Sequence, residues 1–220
     1  LDTRKVGKSE FKCTWRHWRD VLADEGPLSI PPLAHFEDVF VPTPQSASLR
    51  FVFGHLLDSW RPLLVTGEQG CGKSFTLSRV LSSIQMEKAN SLTCNTIDNE
   101  VDFLSPVIKR KKIRLISAPF SVQTTVFSLK AVLEEKVGSL NNDTLGCSSE
   151  HDNLVFIDDL NLPNPDAFSS QPVSEFLRQL LEHRRFYVKD GRWYHIKDTK
   201  FVAAASFHLS GQNPIPTRLL

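Results

Sequence analysis

Pro62-Leu63-Leu64-Val65-Thr66-Gly67-Glu68-Gln69-Gly70-Cys71-Gly72-Lys73-Ser74 is the stretch that decides the fold. A short apolar strand runs into a loop matching G-x-x-x-x-G-K-[ST], the phosphate loop of nucleoside-triphosphate binders. Each residue type has a physical reason. The glycines let the backbone turn so that its N–H groups converge on anionic oxygens. A helix follows from Lys73 to about Ile84, with Phe75, Leu77, Val80, Leu81 and Ile84 expected to face inward. Its positive end points at the same place. Gly67, Glu68, Gln69, Gly70, Cys71, Gly72, Lys73 and Ser74 are therefore the candidate cofactor-binding residues. Lys73 is expected to reach the β- and γ-phosphates, and Ser74 to ligate Mg²⁺ through its hydroxyl. The expected cofactors are ATP and Mg. A bland alternative, a glycine-rich turn without a ligand, needs neither the strand before the loop nor the helix after it.

Such a loop requires a carboxylate on a neighbouring strand to hold the metal and another to orient water. Leu154-Val155-Phe156-Ile157-Asp158-Asp159 supplies both. Its fully apolar run reads as a strand buried on both faces in a parallel sheet. Asp158 is the candidate Mg partner and Asp159 the candidate catalytic, water-positioning base. The competing reading is a turn or helix-capping pair after a strand.

Outward from these two motifs, strands alternate with helices. Ser46 to Trp60 carries Leu49, Phe53, Leu56 and Leu57 at helical spacing. Ile113–Ile116 reads as a strand, Thr124–Val137 as a helix with Val126, Leu129, Val132, Leu133 and Val137 inward, and Val173–His183 as a helix. Phe186–Val188 and Trp193–Ile196 form an expected hairpin around Lys189-Asp190-Gly191-Arg192. Phe201–Ala205 is the last strand. The fold class is α/β: a three-layer P-loop NTPase with a mainly parallel sheet. Gly138–Asn153, rich in Ser, Asn and Gly, reads as a loop of low order. Phe11, Trp15 and Trp18 suit one helix face and a docking surface on a neighbouring module. Pro27, Pro31 and Pro32 mark a linker. Residues 85–112 are weakly patterned, and Lys109-Arg110-Lys111-Lys112 reads as a solvated loop.

Composition narrows the function classes. A length of 220 residues allows one large domain, or one domain and an arm. A formal charge of +1 gives no reason to expect nucleic acid or an anionic membrane as partner. No apolar run approaches the ~20 residues of a membrane span. Leu1-Asp2-Thr3-Arg4-Lys5 begins no signal peptide, and the lack of an initiator Met reads as a cut from a longer chain. Cys13, Cys71, Cys94 and Cys147 form no C-x-x-C pair, so reduced thiols in a cytosolic setting are expected.

The string from Leu154 through Asp158-Asp159-Leu160-Asn161-Leu162-Pro163 resembles a dynein heavy chain. So do Gln171-Pro172, Phe176-Leu177-Arg178-Gln179-Leu180-Leu181-Glu182-His183 and Phe186-Tyr187. The likeness is to the third AAA+ module of the motor ring. Phe40-Val41-Pro42-Thr43 and Phe201–Ala205 agree with it. The resemblance covers about residues 36 to 220, which it makes the large, nucleotide-binding AAA+ subdomain, cut before the helical lid. Residues 1–35 are then a linker or the end of a preceding module. It implies an ATP-binding unit that can hydrolyse ATP and regulates a microtubule motor. The implied partners are neighbouring AAA+ modules of the same chain and, indirectly, microtubules and other dynein subunits. The implied setting is cytoplasm and cytoskeleton, with the axoneme of a cilium or flagellum as one form. Four departures stand out. Cys71 replaces a frequent Thr. Asp159 replaces the usual Glu. Ser206 stands where a γ-phosphate-sensing Asn is common. The stretch from His208 to Pro216 only partly keeps the family pattern, and Arg218 after it aligns with an arginine finger acting in trans, its plain alternative being a surface arginine.

Overall fold

The structure is a computed structural model that describes residues 2–6, 10–24, 30, 35, 39–59, 61–90, 112–147, 151–188, 191–207 and 213–220. The first elements are strands β1 (Asp2–Val6) and β2 (Glu10–Thr14), which pair antiparallel, then helices α1 (Trp18–Asp24) and α2 (Pro44–Asp58). The strand β3 (Leu63–Gly67) leads into α3 (Lys73–Asn90). Next come β4 (Lys112–Pro119), α4 (Val126–Val137), β5 (Ser139–Asn141), β6 (Thr144–Leu145) and β7 (His151–Asp158). Finally come α5 (Pro172–His183), β8 (Arg185–Tyr187), β9 (Trp193–Ile196) and β10 (Thr199–Ser206).

Four parallel strands form the main sheet in the order β3-β10-β7-β4. Burial follows position. At the edge, β3 alternates between half-buried and exposed residues, whereas Asp152 to Ile157 of β7 are all buried. That is what a central strand covered on both faces requires. Alternate side chains of β7 enter two cores. Leu154 and Phe156 pack with Phe53 and Leu57 of α2 and with Leu77, Val80, Leu81 and Ile84 of α3. Val155 and Ile157 pack with Leu129 and Leu133 of α4 and Phe176 and Leu180 of α5. The sheet is thus the middle of three layers, as expected. Thr43 opens α2 and Thr125 opens α4, each as a capping box with a serine three residues on.

Three expectations change. Phe11 lies in β2, opposite Lys5, and the helix begins only at Trp18. Glu10–Thr14 meets a β partner a few residues upstream, and that pairing outweighs a spacing of three aromatic residues. Trp18 packs on Phe51 of α2, with centroids 5.5 Å apart, while Trp15 is 85% exposed. Phe75 does not face the core: it is 45% exposed and lies against Phe40 and under Arg79. The Gly138–Asn153 stretch is not merely loop. It holds β5, β6 and the start of β7, and the small sheet runs β5-β6-β9-β8. Leu145, Phe186 and Ile196 anchor that sheet in the α4–α5 core. Gly146 permits the pairing, since a Cβ there would lie 3.1 Å from the Lys197 carbonyl oxygen. The expected β8–β9 hairpin is present, with Phe186 opposite Tyr194. The basic run up to Lys111 and the His208–Gln212 stretch lie outside the described residues.

Candidate functional site

The strand β3 ends where α3 begins, and the corner between them is made by residues that tolerate unusual backbone. Gly70 and Gly72 have φ of 75° and 76°. Side chains rarely adopt that region, so these positions turn the loop's N–H groups inward at little cost. At Gly67 the constraint is space: a Cβ would lie 3.2 Å from Lys73 Cδ and 3.3 Å from Cys71 Sγ. Lys73 spans the mouth of the corner. Its Nζ donates to the Gly67 carbonyl at 3.0 Å and to the Glu68 carbonyl, and lies 3.7 Å from Cys71 Sγ. Glu68, Gln69, Gly70, Cys71 and Gly72 are exposed.

The sheet order brings the second motif alongside. Ser74 Oγ donates to Asp158 Oδ1 at 2.7 Å, across 84 positions of sequence. The same oxygen accepts the Asp159 backbone N–H at 3.1 Å. Asp158 is the last residue of β7, so the strand delivers its carboxylate to the carboxyl end of the sheet, where ligands of open α/β sheets bind. Asp159 sits in the left-handed region, at φ 53°. Burial first, and the Asp158 carboxylate second, hold its pKa above the usual carboxylate range, while Lys73 pulls it back down.

Ser206 is 5% exposed and pairs in register with Gly67, which sets the end of β10 beside the start of the phosphate loop. Phe207 N–H donates to the Gly67 carbonyl at 3.2 Å. Arg218 stands apart. It is exposed, in the Thr217–Leu219 turn. Its neighbours Leu219 and Leu220 line an apolar cavity with Pro62, Leu63 and Leu64 at the other end of β3. One polar residue without an assigned role in the sequence is prominent: Asn161, 4% exposed, whose amide donates to the Ser206 and Asn213 carbonyls at 3.0 and 3.1 Å. The only signal for it was its place inside the Asp158–Pro163 string.

The donors fit a magnesium nucleotide. Two left-handed glycines and the N-terminus of α3 offer N–H groups to an anion, and Lys73 adds a point charge. A hydroxyl and a carboxylate in contact are hard oxygen donors. That is the small protein share Mg²⁺ takes when phosphate and water supply the rest.

The sequence matches a known family over most of its length. A family model described as the P-loop containing dynein motor region matches residues 28–100 and 101–220. Dynein axonemal heavy chain 1 of Mus musculus is 26% identical over 209 residues, covering 94% of this chain and 4% of its own length. Dynein axonemal heavy chain 5 of Rattus norvegicus is 27% identical over 210 residues, covering 94% and 5%. This chain therefore spans only 4–5% of the length of those two relatives. Among solved structures, the Aeropyrum pernix ORC2 protein in its ADPNP–ADP complexes aligns with a TM-score of 0.46 and 13% identity, covering 81% of this chain and 43% of that one. With the family match running through the phosphate loop and the strand that carries its paired aspartates, the chain belongs to the P-loop containing dynein motor region, as an α/β module of AAA+ type.

Proposed function

We propose that this chain is the Mg-ATP-binding module of a dynein-heavy-chain-like protein, of the third AAA+ type. It hydrolyses ATP slowly to regulate a microtubule motor ring. The observation that carries the reading is the 2.7 Å contact between Ser74 Oγ and Asp158 Oδ1 at the mouth of the phosphate loop. In this reading the backbone of Gly67–Gly72 cradles the phosphates and Lys73 releases its carbonyl partners to pair with the β- and γ-oxygens. Ser74 and Asp158 hold Mg²⁺, which when bound neutralises charge on the phosphates. Asp159 orients the attacking water, Ser206 lies where the γ-phosphate is sensed, and Arg218 serves a neighbouring module's nucleotide. Residues 36–220 are the large subdomain, and 1–35 a linker or the end of a preceding module. Partners are neighbouring AAA+ modules of the same longer chain, and through them microtubules and other dynein subunits. The setting is the cytoskeleton, in the cytoplasm or an axoneme.

A second reading, a regulatory module that holds nucleotide without turnover, draws support from Asp159. Aspartate is one methylene, about 1.5 Å, shorter than glutamate, and its backbone stands in the left-handed region. Two measurements decide. Titration with Mg-ATP should give clear binding that Lys73→Ala weakens by roughly 10- to 100-fold, the value of one charge-assisted contact. Equal affinities would remove the phosphate-loop assignment. In a steady-state ATPase assay, Asp159→Glu should raise turnover, because a misplacement near 1 Å costs up to about 10²-fold. An unchanged rate would favour the non-catalytic reading.

A further inference from the structure

Asn161 is buried three residues beyond Asp158, in the turn that follows β7, and its contacts reach two other parts of the chain. Its Nδ2 donates to the Ser206 carbonyl at 3.0 Å and to the Asn213 carbonyl at 3.1 Å. The return bonds come from Asn213, whose N–H donates to the Asn161 carbonyl at 3.0 Å and whose Nδ2 donates to the Pro163 carbonyl at 2.7 Å. Leu160 N–H donates to the Ala204 carbonyl at 2.9 Å, tying the same turn to β10. Two carbonyl oxygens meet one atom of the Asn161 amide, so that atom must be the NH₂ group. The orientation is therefore forced, and it leaves Oδ1 buried without a partner. A buried orphan acceptor is destabilising by roughly 1–3 kcal/mol, so packing alone does not account for an amide here. Leucine would fill the same space without that penalty, but it could not bridge the two carbonyls.

We propose that Asn161 is a positioning residue that joins the two-aspartate turn, the Ser206 end of β10 and the 213–219 segment into one unit, so that nucleotide at the Ser74–Asp158 site is felt at Arg218. The proposal rests on the magnesium-nucleotide reading. Its physical content is that a displacement of Asp158 or Asp159 moves the Asn161 amide, and the Asn213 carbonyl and N–H move with it. Segment 213–219 has a second tether that bypasses the aspartates, since Gln171 Nε2 donates to the Pro214 carbonyl at 2.8 Å. Gln171 is the N-cap residue of α5, on a different element from the two aspartates, and so supplies a control.

The test is amide hydrogen exchange on the full chain, with and without saturating Mg-ATP, in wild type, Asn161→Ala, Asn161→Leu and Gln171→Ala, with binding measured calorimetrically on the same samples. In wild type, Mg-ATP should slow exchange at Asn213 and Leu219 by about tenfold, the ratio carried by one net hydrogen bond. In both Asn161 variants that response should vanish although Mg-ATP still binds. In Gln171→Ala the segment should exchange faster throughout yet keep its response. The Leu variant retains the volume, so loss of the response there cannot be put down to a cavity. A response that persists in the Asn161 variants, or one that Gln171→Ala abolishes equally, would overturn the proposal and leave Asn161 a plain structural tether. Absence of Mg-ATP binding by the wild type would defeat the functional reading and this inference with it; normal binding with a flat wild-type exchange profile would defeat this inference alone.

Discussion

At the scale of single residues, the site is a set of charges placed close together at a strand-to-helix corner. Ser74→Ala removes the hydroxyl that donates to Asp158. It should leave metal-free nucleotide binding nearly intact while cutting the enhancement by Mg²⁺ about tenfold, read from paired titrations with Mg²⁺ and with a chelator. Asp159 gives a pH signature. Its raised pKa means that the native state holds its proton to higher pH than the unfolded chain does. Stability is therefore lost as pH climbs from the ordinary aspartate value of ~3.9 through the raised one, and the loss is complete above it. Asp159→Asn escapes that loss. It should melt about 1 °C higher at neutral pH and show no gain near pH 3, followed by calorimetry across pH. A gain that persists in acid would point to a cause other than ionisation. The phosphate-loop residues and the aspartate pair were legible in the sequence because their chemistry dictates their spacing. Asn161 was not, because its partners, Ser206 and Asn213, are set by where β10 lies and leave no local pattern.

At the scale of elements, caps and turns fix where each helix begins. Thr43 and Thr125 each accept the N3 backbone N–H and receive a serine in return. Thr125→Ala should cost about 1 kcal/mol, seen as a fall of roughly 2–4 °C in melting temperature. Helices α2 to α5 could be read from their apolar spacing, since each lays one stripe on the sheet. The small sheet could not. Its strands β5 and β6 are three and two residues long, and the first is exposed throughout. Such strands carry no periodicity, and only pairing, of β5 with β6 and of β6 with β9, makes them regular. The same limit misplaced Phe11, whose strand is defined by its neighbour across the hairpin.

At the scale of the molecule, one sheet divides two cores, and β7 feeds both. Leu154 is fully buried on the α3 side. Leu154→Ala should cost about 2–5 kcal/mol and abolish nucleotide binding by loosening the strand that carries Asp158, with urea unfolding and Mg-ATP titration moving together. A large stability loss with unchanged affinity would show that β7 is held at its carboxyl end by other means. The layering and the parallel sheet were legible because Leu154–Ile157 is apolar without alternation. The strand order was not, because a sequence names which strands exist and leaves open which are neighbours.

That order has a consequence for how the protein is made. Of the four strands of the main sheet, β10 is the last to leave the ribosome, yet it sits between β3 and β7 and bonds to both. Until Thr199–Ser206 emerges, the two halves of the anion corner have nothing between them to set their spacing. A nascent chain can form α3 early, but on the proposed reading it gains no help from nucleotide until β10 has emerged. Slow decoding near the end of β10 would prolong the interval in which the apolar flanks of β3 and β7 are open to chaperones.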